Sequence, residues 1–362
     1  MRHGFPIAET SARARRLLLR AFSFGLLLSP FFLGAQSSLA SDVFPAKSVE
    51  MIVANTAGGG YDQYARLVAR HFGQNLPGRP SVIVRNMPGA GGVRAANYLF
   101  NIPARDGSVI ALFTREAALA PLLLPSQGAY QFKAEEFNWI GSPQQDLGLL
   151  LVTTKAASNF EQLKQRQLVM SGTGAGSGPT TFPVLLNQVL GTRFKVVAGY
   201  PGSQEALMAV ENGEADGHVS GGSSAAFRAR IDPLIEKGQL QVLMQLGMSR
   251  DPAYSAPLAL DLVQEAKDRQ LLELAFTPQY LGRPIAAPPG VSPQIVATLR
   301  RAFEQTMQDP NFLAEARAQR LDLNPVTGAQ IEEILKRVYA MPPDLIARAI
   351  ELGKMTRRLF AA

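Results

Sequence analysis

The chain has 362 residues, 46% of them hydrophobic and 18% charged, the balance of an ordinary globular protein and not of a disordered or multi-span membrane chain. The absence of cysteine excludes disulfide scaffolds, thiolate zinc sites, iron–sulfur clusters, cysteine nucleophiles and a lipid-bearing cysteine anchor. The formal charge of +7 raises the question of an anionic partner such as nucleic acid. Much of it lies in the first forty residues. Arg2, Arg13, Arg15, Arg16 and Arg20 form a basic n-region, Ala21 to Leu33 an apolar run too short to span a bilayer, and Ser38-Leu39-Ala40 a small-x-small site. Residues 1–40 therefore read as an export signal with cleavage after Ala40, and Arg15-Arg16 leaves both the general and the twin-arginine routes open. Without that segment the charge is 31 basic against 28 acidic residues, or +3. A soluble, unanchored, exported protein needs an outer membrane to retain it, so the expected compartment is a Gram-negative periplasm.

From Ser41 onward, short apolar runs alternate with amphipathic stretches, which predicts an α/β protein with mainly parallel strands. Ser48 to Ala54 reads as a strand and Asp62 to Gly73 as a helix, with Tyr64, Leu67, Val68 and Phe72 at helical spacing and Asp62 placed to cap it. Strand Ser81 to Arg85, helix Val93 to Phe100 and strand Val109 to Thr114 follow. A second series begins near Leu147 to Val152. It continues with strand Gln167 to Met170, helix Thr180 to Leu190, strand Lys195 to Val197, helix Ser203 to Asn212, strand Gly217 to Val219, a helix to Lys237 and strand Gln241 to Gln245. Tyr280 to Ala286 reads as a further strand, Ser292-Pro293 as a helix start, and the end as helical with a break at Met341-Pro342-Pro343.

Catalytic constellations are missing. Beyond the signal there are two histidines, His71 and His218, with no HExxH and no ligand cluster; His71 reads as structural, while His218, just before the Ser220 loop, is the better candidate for a cleft. No GxSxG elbow occurs. The glycine-rich stretches Gly58-Gly59-Gly60, Asn86 to Gly92 and Gly172 to Gly178 complete neither a P-loop nor GxGxxG. All three lie between a strand and a helix, where glycine leaves backbone N–H groups unobstructed at a helix N-terminus, a natural seat for a carboxylate.

Those residues also carry a resemblance. Gly58 to Arg66 resembles the GGGxDxxAR segment, and Asn86 to Gly92 the NRPGAGG segment, of the substrate-binding proteins of tripartite tricarboxylate transporters, the TctC or Bug family. Ala104 to Gly107, Tyr200 to Ser203, Glu211 to Asp216 and Ala287 to Pro293 are similar to further segments of that family in the same order. The resemblance implies a type II periplasmic binding protein: two α/β lobes joined by two crossovers, with a ligand carboxylate held in the central cleft. It implies signal 1–40, first lobe 41–145 and 271–362, and second lobe 146–270. The first clasp would use Thr56, Ala57, Gly59, Gly60, Tyr61 and Asp62, with Pro88, Gly89 and Ala90 nearby; the second would use Thr173, Gly174, Ala175, Gly176 and Ser177, with Tyr200 beside it.

Three departures bear on specificity: Asn55-Thr56-Ala57 stands where prolines are common, Thr114-Arg115-Glu116 replaces an uncharged loop, and Ser220 to Ser224 replaces the usual stretch. Arg115 is a candidate for a second ligand carboxylate or for a pair with Glu116, Arg94 is a weaker candidate, and Ser220 joins the expected site. The implied function is a monomeric receptor, not an enzyme, without cofactor, metal or nucleic acid, that passes a small organic carboxylate to membrane-embedded transporter subunits. A sensor presenting the ligand to a signalling receptor, and a periplasmic enzyme on the same fold, are the alternatives. Trp139, the only tryptophan, is placed near the first crossover, where its emission would report closure.

Overall fold

Strand β1 (Ser48–Val53) pairs in parallel with β2 (Ser81–Asn86) on one side and β3 (Val109–Leu112) on the other, in the computed structural model of the chain. The structure describes residues 44, 46–102, 104–125, 130–174, 176–220 and 224–360; the expected export signal lies outside them. The remaining strands in chain order are β4 (Asn138–Ser142), β5 (Gly148–Thr153), β6 (Leu168–Ser171), β7 (Phe194–Val197), β8 (Gly217–Val219), β9 (Leu240–Leu246), β10 (Ile285–Ala287) and β11 (Val326–Thr327). They form two sheets, ordered β11-β4-β10-β3-β1-β2 and β7-β6-β8-β5-β9.

The chain passes from the first sheet to the second between β4 and β5 and returns between β9 and β10. The strand entered from each crossover runs against its neighbours: β5 is antiparallel to β8 and β9, and β10 to β3 and β4. Apart from these and the short β11, strands within a sheet are co-directed, as expected of a mainly parallel α/β protein. This is the two-lobe, two-crossover arrangement of a type II periplasmic binding protein. Its consequence is that the carboxyl ends of the co-directed strands, where open α/β sheets bind ligands, lie together at one edge of each lobe.

Burial explains the elements. Strand β3 (VIAL) is buried along its whole length because helices cover both faces of its sheet. Helix Gly60–Phe72 turns Tyr64, Leu67, Val68 and Phe72 inward, the last three joining a core with Met51, Ile110 and Phe303. Helix Pro343–Phe360 packs against helices Ala120–Leu123, Gly178–Leu190 and Ala266–Leu281, so it touches elements flanking both sheets.

One expected strand needs correction and one strand is added. The strand expected over Tyr280 to Ala286 begins only at Ile285, because helix Ala266–Leu281 continues through Pro278 and is ended by Gly282 at φ +59. A Cβ on Gly282 would sit 1.7 Å from the Gln144 carbonyl oxygen, so glycine is required where the two crossovers meet. Strand β4, unread in the sequence, carries Trp139 into the sheet interior, fully buried and away from solvent.

Candidate functional site

The loop after β1 is built around one carboxylate. Asp62 is not the N-cap of its helix: Gly59 holds that position without a side-chain cap, and Asp62 sits three residues on. From there its Oδ2 accepts the Gly58 N–H at 2.8 Å and the Arg66 Nε at 2.8 Å, and its Oδ1 accepts the Asn86 amide at 2.9 Å. The same amide reaches the Asn55 carbonyl at 2.9 Å, which fastens this loop to the one after β2. Burial alone would push the Asp62 carboxyl up, but these three donors outweigh it and hold it below the usual carboxylate range. With Asp62 so occupied, the open donors are the N–H groups of Gly59, Gly60 and Tyr61, which have no intrahelical partner. Thr56, Ala57, Gly59 and Gly60 are exposed, and a Cβ on Gly60 would meet nothing within 4 Å.

The loop after β2 holds Gly89, Ala90, Gly91 and Gly92 at positive φ in succession. Gly92 is fixed there because a Cβ would come 2.6 Å from Thr114 Oγ1, whose hydroxyl donates to the Gly91 carbonyl at 2.7 Å. Pro88, Gly89 and Ala90 stay exposed at the rim, and Arg94 folds back toward the Pro88 carbonyl.

In the second lobe the loop after β6 is held by hydroxyls. Thr173 Oγ1 donates to Ser177 Oγ at 2.7 Å, Ser177 Oγ to Thr180 Oγ1 at 3.3 Å, and Thr180 Oγ1 to the Thr173 carbonyl at 3.2 Å. Segment 199–200 lies against it through Gly199 N–H to Thr173 O and Tyr200 N–H to Gly172 O. Gly174 and Gly176 are exposed with nothing within 4 Å of an added Cβ, at the uncapped start of helix Gly178–Leu190. Ala175 lies outside the described residues.

Arg115 is already engaged. Its Nη1 meets Asp146 Oδ2 at 2.6 Å and its Nε meets Glu116 Oε1 at 3.0 Å, so two acidic side chains already balance its charge. The Arg115 N–H donates to Tyr61 Oη at 3.2 Å, tying the third strand end to the first helix. Burial, assisted by the Glu116 charge, pushes the Tyr61 phenol up. Ser220 is buried, with its Oγ accepting the Leu149 N–H at 2.8 Å, and so fastens the end of β8 to β5; residues 221–223 beyond it are outside the described residues.

His218 is fully buried in β8, its Nδ1 2.9 Å from the Ser171 carbonyl, and desolvation pushes its ring pKa down. That leaves it no surface to offer a ligand. His71 lies 2.7 Å from Glu315, edge-on to Phe312, at the interface of two helices. Among the described residues no three His, Asp or Glu side chains gather to hold a metal ion, and no helix is long and apolar enough to cross a membrane.

Sequence reasoning missed Asp146, Arg283 and Asp322, each of which sits in a connecting segment with no local motif. Arg283, in the return crossover, places its guanidinium 4.2 Å from the Tyr64 ring centre and 5.4 Å from that of Tyr61. Asp322 accepts the Tyr64 hydroxyl on its carbonyl at 2.7 Å and the Ala225 N–H on its carboxylate at 2.9 Å, linking the first lobe to the start of a second-lobe helix. Only contacts formed by the fold identify these three.

Comparison with known proteins bears on this geometry. The model of the tripartite tricarboxylate transporter family receptor, TctC, matches residues 64–336, from the first turn of helix Gly60–Phe72 to the end of the first lobe's last sheet-packed helix. A UPF0065 protein from the gbd 5' region of Cupriavidus necator is 27% identical over 289 residues, covering 75% of this chain and 78% of that one. Protein BugT of Bordetella pertussis is 26% identical over 291 residues, covering 76% and 81%. A ligand-free crystal structure of a TctC solute-binding protein from Polaromonas superposes with a TM-score of 0.64 at 21% identity, covering 86% of this chain and all of that one, a likeness of fold.

Proposed function

The chain belongs to the tripartite tricarboxylate transporter receptor family, and from that premise we propose that it captures a small organic carboxylate between its lobes and delivers it to membrane-embedded transporter subunits. Family members are solute-binding proteins of the periplasm. Export through residues 1–40 with cleavage after Ala40, and action as a monomer without cofactor, complete the reading. The observation that carries it is the pair of open glycine loops, one after β1 of the first sheet and one after β6 of the second. Gly60 in one and Gly174 and Gly176 in the other leave open space where a side chain would stand, and both precede uncapped helix N-termini whose N–H groups and dipoles favour an anion.

In this reading Thr56, Ala57, Gly59, Gly60 and Tyr61 form the first half of the clasp and Thr173, Gly174, Ala175, Gly176 and Ser177 the second. Pro88, Gly89 and Ala90 line the rim, and Tyr200 flanks the second loop. Asp62, Arg115 and Ser220 act by positioning these loops, because their polar atoms are already bonded within the protein. Closure of the two lobes over the ligand is the hinge motion that two crossovers allow. Titration calorimetry of the purified protein against a panel of mono-, di- and tricarboxylates tests the reading. Saturable binding of at least one acid is expected; turnover of an acid without saturable capture would overturn it.

A further inference from the structure

A cavity of about 310 Å³ adjoins the second clasp loop. Its walls come from four helices: Leu123 of Ala120–Leu123, Phe182 and Leu185 of Gly178–Leu190, Leu274 of Ala266–Leu281, and Ile350 and Leu352 of Pro343–Phe360. The volume is that of a small-ligand pocket. Protein interiors leave few voids larger than a water molecule, and water in so apolar a recess would find few partners, so apolar matter suits it best.

The polar groups at this cavity are few and differ in what they can still bind. Thr181 and Thr356 donate their hydroxyl protons to carbonyls of their own helices, those of Ser177 and Leu352. Glu116 is held by Arg115. What remains are the backbone of Gly176, on the clasp loop itself, and the guanidinium of Arg357, which lies over Gly353 and makes no ion pair among the described residues. Two groups able to meet an anion thus border an apolar interior.

We propose that the ligand is an amphipathic monocarboxylate, its carboxylate on the Gly174–Gly176 side of the clasp with Arg357 at the rim, and its alkyl or aryl body in this cavity. The proposal rests on the carboxylate-receptor reading and adds the class of acid. A short di- or tricarboxylate would leave the cavity empty, and a second charge inside it would stand against apolar walls, with Arg357 at the rim the one cation among the described residues that line the cavity.

Titration calorimetry with the straight-chain acids from acetate to octanoate, with succinate and citrate alongside, tests it. Affinity is expected to rise about fourfold per methylene until the cavity is full. That rise is expected to disappear in Ala349→Phe and in Ala275→Phe, which fill the cavity from two different helices, so that one well-folded variant, judged by circular dichroism, suffices. Tight binding of succinate or citrate with no dependence on chain length would overturn the proposal and leave the receptor reading standing. No saturable binding of any acid would remove both. Hexanol binding as tightly as hexanoate would show the cavity acting without the clasp, and would overturn the joint site.

Discussion

Arg115 reaches from the end of β3 to Asp146 in the first crossover, Nη1 to Oδ2 at 2.6 Å, and so braces the sheet of one lobe against the segment that leads to the other. Gln144 donates to the second oxygen of the same carboxylate, so Asp146 is held from both sides. The pair is neither fully exposed nor fully buried, with 27% and 16% of the two side chains accessible. It falls between surface pairs of small effect and buried pairs whose rupture is costly.

Arg115→Gln is therefore expected to lower stability by about 1–2 kcal/mol while changing ligand affinity by no more than a few-fold. Denaturant unfolding and calorimetry on the same preparation check both. A loss of affinity beyond about fifty-fold, which is more than a removed brace accounts for, would show that Arg115 contacts the ligand directly.

Asp62 gives the first loop a dependence on acid. Its carboxyl is held below the ordinary range, so it contributes stability that is present in full above about pH 4 and is lost as pH falls through its folded pKa. Protonation releases the Gly58 N–H, the Asn86 amide and Arg66 together. Stability of the ligand-free protein, measured by denaturant unfolding between pH 7 and pH 3 so that no ligand carboxyl titrates in the assay, is expected to be flat at first and to fall below about pH 4. In Asp62→Asn the loop is already loosened at neutral pH, so stability starts lower and the acid loss is smaller; an equal acid loss in the variant would place the sensitive group elsewhere.

Gly60 and Gly92 are expected to respond to substitution in opposite ways. Gly60 is helical with open space at its Cβ position, so Gly60→Leu should fold normally and lose at least tenfold in affinity because the side chain stands in the clasp. Gly92, at φ +98 and 2.6 Å from Thr114 Oγ1, has no such room. Gly92→Ala should cost about 2 kcal/mol of stability. Thermal unfolding and calorimetry of the two variants separate the effects, and normal affinity in Gly60→Leu would take the first loop out of the site.

The α/β class and most strands were legible because each strand is a short apolar run ended by glycine or a polar turn, as in Gly217–Val219. What escaped reading depends on tertiary contact. Tyr280 and Leu281 look like strand residues beside Pro278, yet burial of Leu274, Phe276 and Leu281 against neighbouring helices keeps them helical. Asp62 has the residue type of a cap, but its three partners come from residues four and twenty-four positions away, and those choose its orientation. Arg115 stands at the expected strand end, but its second partner, Asp146, lies thirty-one residues on in a stretch with no motif.

Trp139 stands in β4, beside the first crossover as expected, but its surroundings argue against the expected emission change. It is fully buried in β4, its Nε1 donates to the Ala134 carbonyl at 3.0 Å, and Phe113 and Phe137 stand at 6.0 and 5.8 Å from its ring. A rigid-body hinge motion leaves that packing intact. Its emission maximum is expected to be blue and to stay in place on saturation with a ligand that calorimetry shows to bind; a shift of several nanometres would mean that closure repacks the interior of the first sheet.

Asp322 joins the lobes in the state described. Its Oδ2 accepts the Ala225 N–H at 2.9 Å, capping a second-lobe helix from the first lobe, and its Oδ1 lies 4.0 Å from Arg228, which is also paired with Asp251. The Tyr64 hydroxyl donates to the Asp322 carbonyl, so the cap is carried by the same helix that begins at the first clasp loop. A contact made only when the lobes are together biases the equilibrium between open and closed forms, and ligand affinity scales with the closed fraction. Asp322→Ala removes the cap without touching the clasp. It is expected to increase the radius of gyration of the ligand-free protein in small-angle scattering, to weaken ligand binding by about three- to tenfold, and to leave the ligand-saturated radius unchanged. If the ligand-free radius were the same in the variant and the original chain, Asp322 would be a helix cap alone, with no part in holding the lobes.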